Sequence, residues 1–140
     1  MPRRATATPA PLSPSAPCPC GLPAAYGECC GLFHAGRDAA PTAERLMRSR
    51  YSAFVAQDAA YLLRTWARST RPPSVDFTEG LRWTGLDVLA TEDGTAFHRT
   101  GTVDFRARFR LHGRAGEQRE NSAFVREDGL WVYVAGAAGR

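Results

Sequence analysis

From position 42 the apolar residues recur every three or four places. Ala43, Met47, Tyr51, Phe54 and Val55 fall on one side of a 3.6-residue helix, which predicts an amphipathic helix buried by that face. Thr42 precedes it as an N-cap, and Glu44 sits in the first turn, where the helix dipole favours an acid. Asp58 offers a second N-cap, followed by Ala59, Leu62, Leu63 and Trp66 on one face. Arg71-Pro72-Pro73 is expected to stop that helix, because the residue before a proline is pushed out of the helical region.

After residue 80 the period falls to two. Thr84, Leu86, Val88 and Ala90 alternate with Gly85, Asp87 and Leu89, and Trp83 stands before Gly85, where a bulge would re-aim it. Glu92-Asp93-Gly94 reads as a turn. Val103, Phe105, Ala107, Phe109 and Leu111 then face one way, and Asp104, Arg106, Arg108 and Arg110 the other. Asp128-Gly129 is a two-residue hairpin signal that pairs Glu127 with Leu130, Arg126 with Trp131, Val125 with Val132 and Phe124 with Tyr133. One hairpin face holds Ala123, Val125, Leu130, Val132 and Val134; the other holds Glu120, Ser122, Phe124, Trp131 and Tyr133. Both are partly apolar, so cover is expected on both, from the helices on one side and from another sheet or a second subunit on the other. Helices followed by a meandering antiparallel sheet make the fold class α+β.

Three segments follow from this pattern. Residues 1–17 are rich in Pro, Ala, Ser and Thr with few large apolar groups, and are expected to be disordered. Residues 18–36 hold all the cysteines, and residues 41–136 form the main domain. A chain of 140 residues, 44% hydrophobic and 23% charged, suits one soluble domain with a small appendage. No apolar run is long enough to span a membrane, the N-terminus has no apolar signal core, and Pro2, Pro9, Pro11, Pro14 and Pro17 would break a transit helix. A cytoplasmic location is expected. Every one of the 18 basic residues is arginine against 14 acids, for a net charge of +4. Arg3 and Arg4 belong to the tail, and four thiolates around one divalent ion would contribute a further −2, so the body is near neutral and bulk charge does not favour nucleic acid.

Cys18-Pro19-Cys20 and Cys29-Cys30 are separated by eight residues, and a loop containing Gly21 and Pro23 can fold the two pairs together. Four soft ligands in this spacing predict tetrahedral zinc; a closed four-thiolate shell leaves no position for substrate water, so the metal would be structural. A pair of disulfides is the alternative, disfavoured because adjacent Cys29 and Cys30 would have to bridge separately and the cytoplasm is reducing. His34 is a possible substitute ligand, though four cysteines leave it the role of a surface or packing residue.

Cys18-Pro19-Cys20-Gly21 with Cys29-Cys30-Gly31 resembles the SEC-C zinc motif at the C-terminus of the SecA translocase motor. The run Leu46 to Phe54 (LMRSRYSAF), with Tyr61-Leu62, Thr65-Trp66, Arg126-Glu127-Asp128-Gly129, Trp131 and Tyr133, resembles the YchJ-like family, over roughly residues 18–135. That resemblance implies a SEC-C zinc motif joined to a nuclear transport factor 2-like (cystatin-like) roll, with helices closing a curved sheet over a pocket, in a family without an assigned activity. The chain departs from the family pattern in carrying Ala67 where His follows Thr-Trp, Arg119 where some members have His before Glu120, and no second cysteine motif after Val134. An acid or base role for either histidine would be missing here.

Arg50 lies on the apolar stripe, three residues after Met47 and four before Phe54, and a charge there needs a partner or an escape to solvent. Glu120 is the candidate partner, meeting Arg50 near a pocket floor with Ser122, Trp66 and Tyr133 around them; the competing reading is a structural ion pair or a snorkelling arginine. Trp66, Trp83 and Trp131 could stack on a flat ligand or fill the core. His98 is expected at the surface, and Arg106, Arg108 and Arg110 form a basic ladder that binds phosphate, is solvated, or pairs with acids. Asp76 and Glu79 have no spacing that identifies paired catalysts, and neither a nucleophile elbow nor a phosphate-cradling glycine loop is present. The reading favoured is a non-catalytic zinc-binding adaptor, with an export chaperone or the ribosome as the partners that SEC-C motifs imply and a homodimer through the sheet as a further possibility. The alternative is a small-molecule enzyme or ligand-binding protein using the pocket.

Overall fold

In the computed structural model, which describes residues 12–136, a 3-10 turn (Tyr26–Glu28) and α1 (Cys30–His34) precede α2 (Ala43–Ala56) and α3 (Ala59–Arg64). Four strands follow, β1 (Leu81–Asp93), β2 (Thr100–Leu111), β3 (Arg114–Glu127) and β4 (Leu130–Gly136). They form one open antiparallel sheet in the order β1-β2-β3-β4. The α+β class and the helices on one face of the sheet match the reading of the sequence. No helix of the described residues is long and apolar enough to cross a membrane.

Both predicted caps form. Thr42 Oγ1 accepts from Arg45 N at 3.1 Å, and Asp58 Oδ1 accepts from Tyr61 N at 3.0 Å. Each satisfies one of the donors that a helix start leaves unpaired. Between the helices Gln57 closes α2 in the left-handed conformation, at φ 55°. The second helix ends sooner than Pro72 and Pro73 suggested. Thr65 Oγ1 donates to Tyr61 O at 2.7 Å, and the backbone leaves the helix to pair with β4: Tyr133 N donates to Thr65 O and Ala67 N to Tyr133 O, each at 2.8 Å. Trp66 is therefore part of a parallel bridge to Tyr133 and not the last residue of a helical stripe. This segment also covers the outer edge of β4, which would otherwise offer unpaired groups.

The hairpin register is the one expected, from Glu127 opposite Leu130 to Phe124 opposite Tyr133. β1 is longer than its alternating run, because Glu92 and Asp93 pair with Thr102 and Gly101 before the chain turns at Gly94. The bulge expected beside Trp83 is present as a register shift between Trp83 and Gly85; a second lies between Val88 and Ala90. The first brings Trp83 onto the face of Leu86 and Val88, where it packs on the core.

The inner face of the sheet carries Val103, Phe105, Ala107 and Phe124, buried against Leu46, Met47 and Tyr51 of α2. The outer face has no second layer among the described residues. Two members of its basic ladder are paired with an acid, Arg106 and Arg108 reaching Asp87 at 3.2 and 3.5 Å, whereas Arg110 donates to Gly113 O at 2.9 Å. On the neighbouring strand Arg119 reaches Asp104 at 2.9 Å. Of the segment expected to be disordered, residues 1–11 lie outside the described residues. Residues 12–17 pair with the cysteine segment, Tyr26 N donating to Ala16 O and Gly27 N to Pro14 O at 2.8 and 2.9 Å.

Candidate metal centre and aromatic cavity

α2 serves two sites with two faces. Met47, Arg50, Tyr51 and Phe54, at i, i+3, i+4 and i+7, line a cavity over the sheet. Arg48, Ser49 and Ser52 face the cysteine segment: Arg48 Nη1 donates to Cys20 O at 2.7 Å, and Ser52 Oγ lies 3.8 Å from Cys18 Sγ.

Cys18, Cys20, Cys29 and Cys30 are buried, free of disulfides, and present sulfurs that all lie within 4.8 Å of one another. Such a cluster could hold a metal ion. Its electrostatics point the same way. The neighbouring Cys20 and Cys30 thiols stabilise a Cys18 thiolate and pull that group far below its ordinary value, and the same contacts push Cys20 up to about 12 and Cys30 higher still. Crowded sulfurs thus accommodate one negative charge and resist the next, unless a cation sits among them. Gly31 is required by close approach, since a Cβ there would lie 2.6 Å from Tyr26 O.

His34 is not a ligand but a rivet between this segment and the domain. Ser49 O can only accept, so Nε2, at 2.8 Å, carries the proton; Nδ1 accepts from the Tyr26 hydroxyl at 2.6 Å. Burial holds the ring's pKa below its ordinary value. Ser49 Oγ donates to Leu46 O at 2.8 Å and pairs with the Tyr61 hydroxyl at 2.6 Å, so the chain of buried polar groups continues into α3. Nothing in the hydrophobic pattern identified Arg48, Ser49 and Ser52. The signal was their position away from the apolar stripe, two small hydroxyls where a second backbone approaches and one long arginine that reaches it.

The cavity measures about 240 Å³, and Arg50, Trp66, Glu120, Ser122 and Tyr133 all line it. Aromatic and apolar groups form most of the wall, among them Phe54, Trp83, Phe105 and Phe124. Arg50 and Glu120 do not form the direct pair expected of them. Arg50 Nη1 donates to Leu62 O at 2.8 Å and to Thr65 Oγ1 at 2.7 Å, and the guanidinium lies against both Trp66 and Tyr133, 4.9 and 4.6 Å from their ring centroids, the two rings themselves meeting edge-on at 5.3 Å. The physical reason is local. α3 ends beside Arg50 and offers unpaired carbonyl groups, and aromatic faces stabilise a desolvated cation. Burial lowers the Arg50 pKa to about 10, against the opposing pull of Tyr133, Tyr61 and Glu120, so the group stays charged at neutral pH. Glu120 Oε2 instead accepts from Ser122 Oγ at 2.6 Å and from the Tyr133 hydroxyl at 2.9 Å. Burial first, and the Glu120 charge second, raise Tyr133 to about 12, which keeps it a donor.

Of the remaining candidates, Trp83 lines the cavity, whereas Trp131 donates to Pro41 O at 3.2 Å and is stacked by Arg126, a core role. His98 stays at the surface beside Thr95 and Asp93.

The family described as "YchJ, middle NTF2-like domain" matches residues 42–136. A UPF0225 protein of Streptomyces coelicolor is 58% identical over 123 residues, 88% of this chain and 96% of the relative. One of Ralstonia nicotianae is 49% identical over 142 aligned positions, covering 93% and 96%. The solution structure of a SEC-C motif containing protein from Rhodopseudomonas palustris is similar at TM-score 0.78 and 32% identity, over 88% of this chain and 98% of that one. A crystal structure of a SEC-C motif containing protein from Psychrobacter arcticus gives TM-score 0.71 at 26% identity, over 90% and 83%. With its cysteine cluster riveted to a nuclear transport factor 2-like domain, this chain belongs to the YchJ-like, UPF0225 family.

Proposed function

We propose that the protein binds a small organic molecule in the cavity between α2 and the sheet, with a structural zinc in the four-cysteine centre. The carrying observation is the cavity of about 240 Å³, whose aromatic wall is interrupted by the buried Arg50 and by Glu120. Apolar enclosure with a few convergent polar groups is the general form of a ligand site. The zinc reading is supported by geometry: Zn–S bonds of about 2.3 Å set tetrahedral sulfurs about 3.8 Å apart, and Cys20 and Cys29 Sγ are 3.7 Å apart. Zinc would supply roughly 10–16 kcal/mol of apparent binding energy to a segment with little core of its own. Through Arg48 and His34 that segment holds the back of α2, while the front of α2 forms the cavity wall.

The test is a titration of the zinc-loaded protein with toluene, followed by the indole N–H resonances of Trp66 and Trp83. Saturable shifts at these two, lost when Ala107→Phe fills the wall, are expected; shifts spread over the surface, or none, defeat the reading. Zinc content on the same sample should be about one per chain, as a single four-cysteine site requires.

Docking on a protein partner is a second reading, supported by Phe97. This side chain is 96% exposed on a loop that Arg126 ties down through His98 O and Ala96 O at 2.8 and 3.2 Å. An export chaperone or the ribosome is the first partner to try. Loss of a purified partner with Phe97→Ser, but not with Arg50→Met, would support docking over cavity binding.

A further inference from the structure

The polar groups of the cavity restrict what it can take. Arg50 is 5% exposed. Among the described residues its hydrogen bonds all leave from Nη1, and neither Nε nor Nη2 is sealed away without a partner. These N–H groups thus keep accessible surface, on a residue that lines the cavity. Glu120 is the mirror case. Its Oε2 is engaged by Ser122 and Tyr133, whereas Oε1 accepts no bond among the described residues and is not sealed either. The cavity thus offers free donors from a cation on one side and a free acceptor from an anion on another, with no direct bond between them. A lone carboxylate could bond Arg50 but would bring a second negative charge beside Glu120. A lone ammonium meets the reverse conflict with Arg50. Like charges brought together in such a site are strongly disfavoured.

Size sets the second limit. An apolar cavity of about 150 Å³ holds benzene, so this one has room for on the order of ten non-hydrogen atoms. We infer that the cavity takes a dipolar ligand of this size, with an apolar, ring-sized body and a head that has an acceptor for Arg50, a donor for Glu120 and no net charge; this deepens, and rests on, the binding role proposed above. Two sources carry such a head: the edge of a planar primary amide and the zwitterion of an α-amino acid.

The experiment titrates the full-length, zinc-loaded protein with benzamide, L-phenylalanine, benzoate, benzylamine and toluene, reading the Trp66 and Trp83 indole resonances. Benzamide or phenylalanine should bind at least about tenfold more tightly than benzoate and benzylamine, and the tighter of the two identifies the source. The discrimination should also split between the variants. Glu120→Gln should relieve the rejection of benzoate, and Arg50→Met that of benzylamine, whereas a purely structural role for either residue would weaken all probes together. Glu120 is only partly buried, so Glu120→Gln keeps the test open should Arg50→Met fail to fold. Benzoate or benzylamine binding as well as the dipolar probes, or the same ranking in the variants, overturns the ligand class. Toluene matching or exceeding both dipolar probes also overturns it while leaving cavity binding intact; no probe shifting either indole means the binding role itself has failed.

Discussion

Replacing Arg50 with Met removes a buried guanidinium while keeping most of its aliphatic volume. The structure gives the terms. Two hydrogen bonds are lost, to Leu62 O and Thr65 Oγ1, each worth about 1.5 kcal/mol at the low end for a charged donor. Two ring contacts are lost, to Trp66 and Tyr133, at roughly 1 kcal/mol each. Against these about 5 kcal/mol stands the desolvation relieved. Burial lowers the Arg50 pKa from 12.5 to about 10, which is roughly 3 kcal/mol of strain on the charged form. The net expectation is a loss of about 2 kcal/mol, or a fall in Tm of roughly 8 °C for a domain of this length. Urea unfolding at neutral pH, monitored by circular dichroism and by tryptophan fluorescence, measures it as a shift in midpoint at constant slope. A variant as stable as the wild type, with unchanged probe binding, would refute the claim that the α3 carbonyl and the two rings hold this charge in place.

Three further expectations concern the elements around the sites. Gly31→Ala should cost about 1–3 kcal/mol by overpacking against the Tyr26 carbonyl, and should make zinc easier to strip in a chelator competition; unchanged retention would count against the close approach. Because burial lowers the His34 pKa, the unfolded chain takes up a proton that the folded chain resists. The stability from neutral His34 is therefore complete above about pH 6.5 and declines as pH falls from there toward the folded value. The stability difference between wild type and His34→Gln should shrink from about pH 7.5 to about pH 5.5, with zinc assayed at both; a constant difference would remove the linkage. Thr42→Ala should cost about 1 kcal/mol in the same urea assay through loss of the α2 cap, and a cost near zero would show that Ala43 N, held by Gly94 O, already anchors this helix end.

The resemblance carried by the Cys-Pro-Cys and Cys-Cys pairs and by Leu46 to Phe54 was legible because it lies in short contiguous stretches. So were the caps at Thr42 and Asp58, the bulge beside Trp83 and the hairpin register at Asp128-Gly129, each of which depends on neighbours within a few residues. The end of α3 departs from the local signal for the complementary reason. Local chemistry pointed to Pro72 and Pro73, but pairing of Thr65 and Ala67 with Tyr133 on β4 pulled the chain out of the helix first.

By itself the sequence determined the period of each element, its start signals and the set of chemical groups available, since these follow from backbone preferences and from which face a residue occupies. Only the tertiary structure decided which groups meet. Arg50 and Glu120 share a cavity, yet Arg50 bonds to the end of α3 and Glu120 to Ser122 and Tyr133. His34 bridges Tyr26 and Ser49, and Trp131 reaches Pro41, 90 residues away. Pairings of this kind depend on how helices and sheet pack together. A buried charge settles on whichever satisfied, desolvated partners that packing brings closest, and no spacing along the chain records the choice.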